Sequence, residues 1–178
     1  MADLIASRVS KPAPGRVDAL RALFPDRLPV RSEVTNPDTY GVETRHALER
    51  LQPQGLGAPV DEISDLLESS LAIECPPDLP LILPGCIQQT LFMILDGRVD
   101  IYELDEHIGT SGAGSFTGEV AFLLSQPRMS EVRSGPSGVT LLGFSLSSLR
   151  EAFESAPAAC AVLYRAVATD LARKLLER

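Results

Sequence analysis

Cationic side chains are scarce in this sequence, which has 16 Lys and Arg residues, 24 Asp and Glu residues and a formal net charge of −8. Proteins that bind the phosphates of DNA or RNA present a surplus of Lys and Arg on some face. Apolar runs are short as well, and none approaches the roughly 20 residues that a membrane-spanning helix requires. We therefore expect neither a nucleic-acid partner nor insertion into a membrane.

Cysteine and histidine are also rare. The three cysteines, Cys75, Cys86 and Cys160, are odd in number and irregularly spaced, which suggests neither a disulfide framework nor a zinc knuckle. Neither His46 nor His107 lies in a metal-binding pattern, and no serine has a Gly-x-Ser-x-Gly context. The first residues lack the apolar segment of a secretory signal. These absences predict a cytoplasmic protein that is not an enzyme and holds no metal or cofactor.

Prolines divide the first part of the chain, where six of them lie between Pro12 and Pro53. Only short helical patterns fit between them, such as the apolar residues at Val17, Leu20 and Phe24. Residues 1–56 are therefore predicted to form an extension of short helices and irregular chain, and 57–178 to form the main domain. The composition leaves a poorly structured tail open as the alternative for the extension.

Apolar residues between Pro76 and Phe144 occur in short runs that Gly and Pro separate. Such runs predict β-strands; the run that ends at Leu95 is predicted to turn at Asp96-Gly97. Helical spacing precedes this region and returns after it. The predicted fold class is α+β, an antiparallel β-roll (a double-stranded β-helix or jelly roll) flanked by an N-terminal helical segment and C-terminal helices.

Three helix starts can be read from capping signals. Asp61 is the predicted N-cap of a helix that precedes the strands. After them, Ser148 and Glu151 have the spacing of a capping box. Pro157 is then predicted at the first position of a final helix of about five turns, because proline suits that position.

A glycine-rich stretch followed by a short apolar helix and an arginine predicts a binding site. Glycine lets the backbone approach a ligand, and the free N–H groups after Gly118, at Glu119, Val120 and Ala121, suit an anion. The fork of Arg128 suits phosphate oxygens, and the carboxylate of Glu119 can accept a hydrogen bond from a sugar hydroxyl. The alternative is a plain salt bridge between Glu119 and Arg128 that closes a loop.

Two segments carry a family resemblance. Residues 114–122 read Gly-Ser-Phe-Thr-Gly-Glu-Val-Ala-Phe, and residues 127–132 read Pro-Arg-Met-Ser-Glu-Val. They resemble the cassette of the cyclic-nucleotide-binding domain family, approximately Gly-Asp-x-Phe-Gly-Glu-[Leu/Ile/Val]-Ala-Leu and then Pro-Arg-x-Ala-[Thr/Ser]-Val. Upstream, Pro84-Gly85 and residues 91–97 resemble a second motif of that family, Gly-Asp followed by Leu-Tyr-Phe-Ile-Leu-x-Gly. The family includes catabolite-activator-type regulators and the regulatory subunits of cyclic-AMP-dependent kinase. The resemblance covers about residues 61–178.

The resemblance implies a sensor module that binds a cyclic nucleotide and acts on an unidentified effector protein. It places the ligand against these residues: Gly118, Glu119, Val120, Ala121, Arg128, Met129 and Ser130. Because Met129 replaces the hydroxyl residue that favours cyclic GMP in the family, cyclic AMP is the expected ligand. The regulators continue into a helix-turn-helix, whereas this sequence ends at Arg178, so direct transcriptional control is not expected.

Two parts of the implied site have alternatives. The final helix would cap the base through Leu163, Tyr164 or Val167, although an apolar stripe also fits core packing or a homodimer. Strand alternation would place the Glu131 carboxylate beside Met129, where it would repel a phosphate. The alternative function is therefore a degenerate, ligand-free β-roll that serves as a protein–protein interaction module.

Overall fold

A computed structural model of the chain describes Glu62, Asp65, Leu66 and residues 69–177. The predicted extension 1–56 and the predicted N-cap Asp61 lie outside these residues, whereas Glu62, Asp65 and Leu66 are helical as expected. The strands are β1 (Leu71–Cys75), β2 (Pro80–Ile82), β3 (Thr90–Glu103), β4 (Glu106–Gly112), β5 (Phe116–Thr117) and β6 (Glu131–Ser145). The helices are α1 (Glu119–Leu124), α2 (Leu146–Ser155) and α3 (Pro157–Leu176).

The strands form one antiparallel sheet in the order β1-β6-β3-β4, in which β2 also pairs with β6 and β5 with β3. The two long strands, β3 and β6, pair along most of their length and connect the smaller strands. In sequence, α1 lies between β5 and β6, and α2 and α3 follow the last strand. The predicted α+β class, with an antiparallel sheet and C-terminal helices, is confirmed.

The predicted turn at Asp96-Gly97 is wrong, because β3 continues through it. The pairing of β3 with β6 shifts register between Ile94 and Asp96 and again between Gly97 and Val99, which marks bulges. Gly97 has a φ of 78°, and a Cβ there would lie 2.6 Å from the carbonyl oxygen of Gly138. Glycine at position 97 therefore permits both the bulge and the close approach of the two backbones.

The core consists of two clusters on opposite faces of β3. Leu91 and Met93 belong to the cluster that packs against the helices, and Phe92 and Ile94 belong to the cluster enclosed by the strands. All four side chains are at most 1% exposed. Successive strand residues point to opposite faces, so a strand buried on both faces has a continuous apolar run.

The capping of α2 differs from the prediction. The predicted capping box of Ser148 and Glu151 is wrong, because α2 begins one turn earlier with Ser145 as its N-cap. The Oγ of Ser145 accepts a hydrogen bond of 3.0 Å from the Ser148 amide. Ser145 ends β6 with an extended backbone, the conformation that an N-cap residue requires.

The start of α3 is fixed by the helical segment that precedes the sheet. Pro157 occupies the first turn, as predicted, and α3 has no side-chain cap of its own at Ala156. The amides of Ala158 and Ala159 instead donate to Glu62 Oε2 at 2.7 and 3.1 Å. Within the described residues, no helix is both long and apolar enough to cross a membrane.

Candidate ligand-binding site

The predicted short helix and arginine lie between β5 and β6. Gly118 has a φ of 79° and is the N-cap of α1, so the first turn of this helix begins directly at the left-handed glycine. All seven residues predicted for the site line one cavity of about 290 Å³. The structure therefore brings Gly118, Glu119, Val120, Ala121, Arg128, Met129 and Ser130 together, and their contact with a ligand stays a prediction.

Other elements complete the walls of the cavity. Four isoleucine and valine side chains from the sheet supply an apolar surface: Ile82, Ile101, Ile108 and Val132. Thr110 and Ser111 of β4 add hydroxyl groups, and Lys174 and Glu177 come from the end of α3. Sequence reasoning did not group these residues with the site, because they come from five elements, β2, β3, β4, β6 and the end of α3, which only the fold brings together.

Arg128 lies at the base of the cassette and is only 4% exposed. Its Nη1 donates to the carbonyl oxygen of Gly118 at 2.6 Å, and its Nη2 donates to that of Thr90. Burial lowers the pKa of the guanidinium, and the nearby charge of Glu119 acts in the opposite direction. Since a guanidinium has five N–H groups, these two bonds leave donors on both terminal nitrogens.

Glu119 is 8% exposed and pairs with α3 instead of with Arg128. Its Oε1 accepts a hydrogen bond of 2.9 Å from Lys174 Nζ, which also donates to the Phe116 carbonyl oxygen at 2.6 Å. The alternative of a Glu119–Arg128 salt bridge is therefore wrong. Neither Lys174 nor its neighbour Asp170 was singled out from the sequence.

The predicted position of Glu131 beside Met129 at the site is not what the structure shows. Its carboxylate accepts a hydrogen bond of 2.6 Å from Arg133 Nε, and Arg133 lies 5.6 Å from the centre of the Tyr102 ring. Glu131 does not line the cavity, whereas Met129 does. Because β6 begins at Glu131, strand alternation does not relate these two side chains. The Glu131 carboxylate is thus paired with Arg133 outside the cavity lining.

The three apolar candidates on α3 do not line the cavity either. Leu163 and Val167 are at most 1% exposed and belong to the core cluster beneath the helices. Tyr164 packs against Phe122 and Phe153, with ring centres 6.1 and 5.6 Å away. The structure therefore shows that these three side chains pack in the core, which was the alternative to capping the base.

Asp170 joins α3 to the strand that precedes the cassette. Its Oδ2 accepts a hydrogen bond of 3.0 Å from the Phe116 amide, and its carboxylate pairs with Lys174 and Arg173. Burial alone raises the pKa of Asp170. The Phe116 amide and the two cations outweigh burial, so the pKa lies below its ordinary value of 3.8. Asp170 therefore stabilises the fold in its charged form.

We predict that Asp170→Asn lowers the free energy of unfolding at pH 7 by about 3 kcal/mol, because the Phe116 amide, Lys174 and Arg173 lose their charged partner. The folded-state pKa is lowered, so this stabilisation is present above about pH 4 and is lost as the pH falls through the folded-state pKa. Urea unfolding at pH 7 and pH 3 measures both effects. Glu154→Gln on the exposed face of α2 is the control; an equal loss for Asp170→Asn at both pH values would contradict the charged role.

A roll of antiparallel strands, a short cassette helix and a long C-terminal helix beside one cavity form the fold of cyclic nucleotide-binding domains, which confirms the predicted resemblance at the level of fold. The chain is similar to a cyclic nucleotide-binding domain from Methylobacillus flagellatus KT at 19% identity, with a TM-score of 0.69, over 81% of this chain and 83% of that one. No protein-family model and no curated protein matches the chain.

Two further solved structures are similar to this chain. The catabolite activator protein of Thermus thermophilus matches at 20% identity and a TM-score of 0.56, over 70% of this chain and 59% of that one. The regulator CLP of Xanthomonas campestris, described as responsive to c-di-GMP, matches at 28% identity and a TM-score of 0.56, over 66% and 60% of the two chains. The matched part thus spans about three fifths of each regulator.

Proposed function

We propose that this chain is a cytoplasmic sensor module, not an enzyme, that binds a cyclic nucleotide and acts on an effector protein. The observation that supports this most strongly is the placement of Arg128, whose buried guanidinium retains donors in a cavity lined by the first turn of α1. A buried cation and a turn of free amides are complementary to a phosphate. Similar solved structures include cyclic nucleotide-binding domains, which supports the same ligand class.

Each wall of the cavity suits a different part of a cyclic nucleotide. The remaining Arg128 donors and the Ala121 and Met129 amides would bind the phosphate, while the buried Glu119 carboxylate would accept from a ribose hydroxyl. The isoleucine and valine wall would pack against the base. The Met129 side chain offers no hydroxyl, which supports cyclic AMP over cyclic GMP on the family resemblance.

Response to the ligand would pass through α3, whose last turn contributes Lys174 and whose C-cap contributes Glu177 to the cavity wall. A ligand shifts a conformational equilibrium only as far as it binds one conformation more tightly than the other. We propose that contacts with this end of α3 provide that difference. The outer face of the helix would then present the change to the effector or to a second copy of the chain.

Calorimetric titration of the protein with cyclic AMP, cyclic GMP and cyclic di-GMP tests the proposal. Cyclic di-GMP is included because one similar structure is that of a regulator described as responsive to it. We expect saturable binding that is tightest for cyclic AMP, and a gain of about 2.7 kcal/mol in the free energy of unfolding at a ligand concentration of 100 Kd. No heat and no stabilisation with millimolar cyclic AMP would contradict it and favour the ligand-free interaction module.

A further inference from the structure

Lys174 connects the candidate site to α3 through a complete set of hydrogen bonds. Its ammonium donates to the Phe116 carbonyl oxygen at 2.6 Å and to Glu119 Oε1 at 2.9 Å, and it lies 3.0 Å from Asp170 Oδ2. An ammonium has three donors, so these three oxygens match its capacity. Lys174 is thereby held in one place at the cavity wall.

The contact with Lys174 also determines where the Glu119 carboxylate lies. A carboxylate that is 8% exposed needs a charged or hydrogen-bonding partner to offset its loss of hydration. Lys174 supplies this partner at Oε1, and an ionised carboxylate has about four lone-pair sites in total. Glu119 therefore has acceptor capacity for a ligand hydroxyl while it remains bonded to Lys174.

Asp170 holds Lys174 from the side of the helix. Asp170 and Lys174 are four residues apart on α3 and together bond the amide and the carbonyl oxygen of Phe116. The same lysine therefore contributes to two contacts, the docking of α3 on β5 and the orientation of Glu119. A shift of the last turns of α3 would move the carboxylate as well.

We infer that Lys174 is a positioning residue of the candidate site, which fixes the Glu119 carboxylate for a ligand hydroxyl and ties it to the last turns of α3. This inference rests on the proposed cyclic-nucleotide function. It predicts that preference for a ligand with a ribose 2′-hydroxyl depends on a side chain that is 55 residues away from Glu119 in the sequence.

The affinities of cyclic AMP and 2′-deoxy cyclic AMP for the wild type and for Lys174→Met test the inference. A hydrogen bond to a charged acceptor predicts a preference of about tenfold or more for cyclic AMP in the wild type. We expect Lys174→Met to reduce this ratio to about threefold or less, and Lys174→Arg, which keeps the charge, to retain most of it. Arg165→Met removes an exposed cation of the same helix that does not line the cavity, and should leave the ratio unchanged.

A second measurement, without nucleotide, separates this inference from the proposed function. Lys174→Met should speed amide hydrogen exchange in residues 116–121, because Lys174 bonds both Phe116 and Glu119. Arg165→Met should not, because this exposed side chain is not at the cavity. Unchanged exchange, or a full hydroxyl preference in Lys174→Met, would overturn the role of Lys174. A wild type that binds neither nucleotide would overturn the proposed function, and the exchange rates would then decide on Lys174 alone.

Discussion

Replacing Arg128 with alanine is expected to weaken cyclic AMP binding at least about 100-fold and to destabilise the fold at the same time. The loss of affinity follows from the removal of charge-assisted hydrogen bonds to the phosphate, each of which contributes about 1.5–3 kcal/mol. The loss of stability follows from the two bonds that the buried guanidinium donates to the carbonyl oxygens of Gly118 and Thr90. A buried carbonyl that loses its donor costs about 1–3 kcal/mol, so we expect about 2–4 kcal/mol in total.

Arg128→Lys separates the two effects. Lysine keeps the positive charge but lacks the planar guanidinium. It therefore retains the charge attraction to a phosphate but cannot donate to the carbonyl oxygens of Gly118 and Thr90 at the same time. We expect intermediate stability and still at least about tenfold weaker binding, measured by urea unfolding and by calorimetry on each variant. Wild-type affinity in both variants would show that Arg128 is a structural residue only and that the phosphate binds elsewhere.

Gly118→Ala is expected to have the second largest effect, because it displaces Arg128 without changing it. A Cβ at Gly118 would lie 2.3 Å from Arg128 Nη1 and 3.1 Å from the Thr90 carbonyl oxygen. The φ of 79° adds the cost of a left-handed conformation, about 1–2 kcal/mol for an L-residue. With the steric overlap, we expect a destabilisation of about 2–4 kcal/mol and binding about tenfold or more weaker.

Gly112→Ala is the matched control for this substitution. Gly112 ends β4, its φ is not in the left-handed region, and a Cβ there would meet nothing within 4 Å. Chemical unfolding and calorimetry of the two variants isolate the effect of crowding Arg128. Equal behaviour of Gly118→Ala and Gly112→Ala would show that the close approach of Gly118 to Arg128 has no part in binding.

The cassette could be predicted from the sequence because its chemistry is contiguous. Gly118, the three residues after it and Arg128 lie within one short segment, so the types and spacing of the residues sufficed to group them. The sheet could be predicted for a similar reason: apolar runs of strand length are local signals. The structure places all seven predicted site residues around one cavity.

The errors arose where distant contacts decide between local possibilities. Asp96-Gly97 has the local signal of a turn, yet the pairing of β3 with β6 continues across it. Gly97 therefore lies in a β-bulge. Lys174 carries no local mark of a site residue, because its partners Phe116 and Glu119 are 58 and 55 residues away. Glu131 was misplaced because the first residue of β6 could not be located from the sequence.

The central claim is that the cavity beside α1 binds a cyclic nucleotide, and the amide chemical shifts of the wild type during titration with cyclic AMP test it most directly. We predict saturable changes at residues 117–121 and 128–130, with smaller changes along the last turns of α3 and none on the exposed face of α2. Changes that do not saturate, or that leave residues 117–121 and 128–130 unaffected at millimolar cyclic AMP, would contradict the claim.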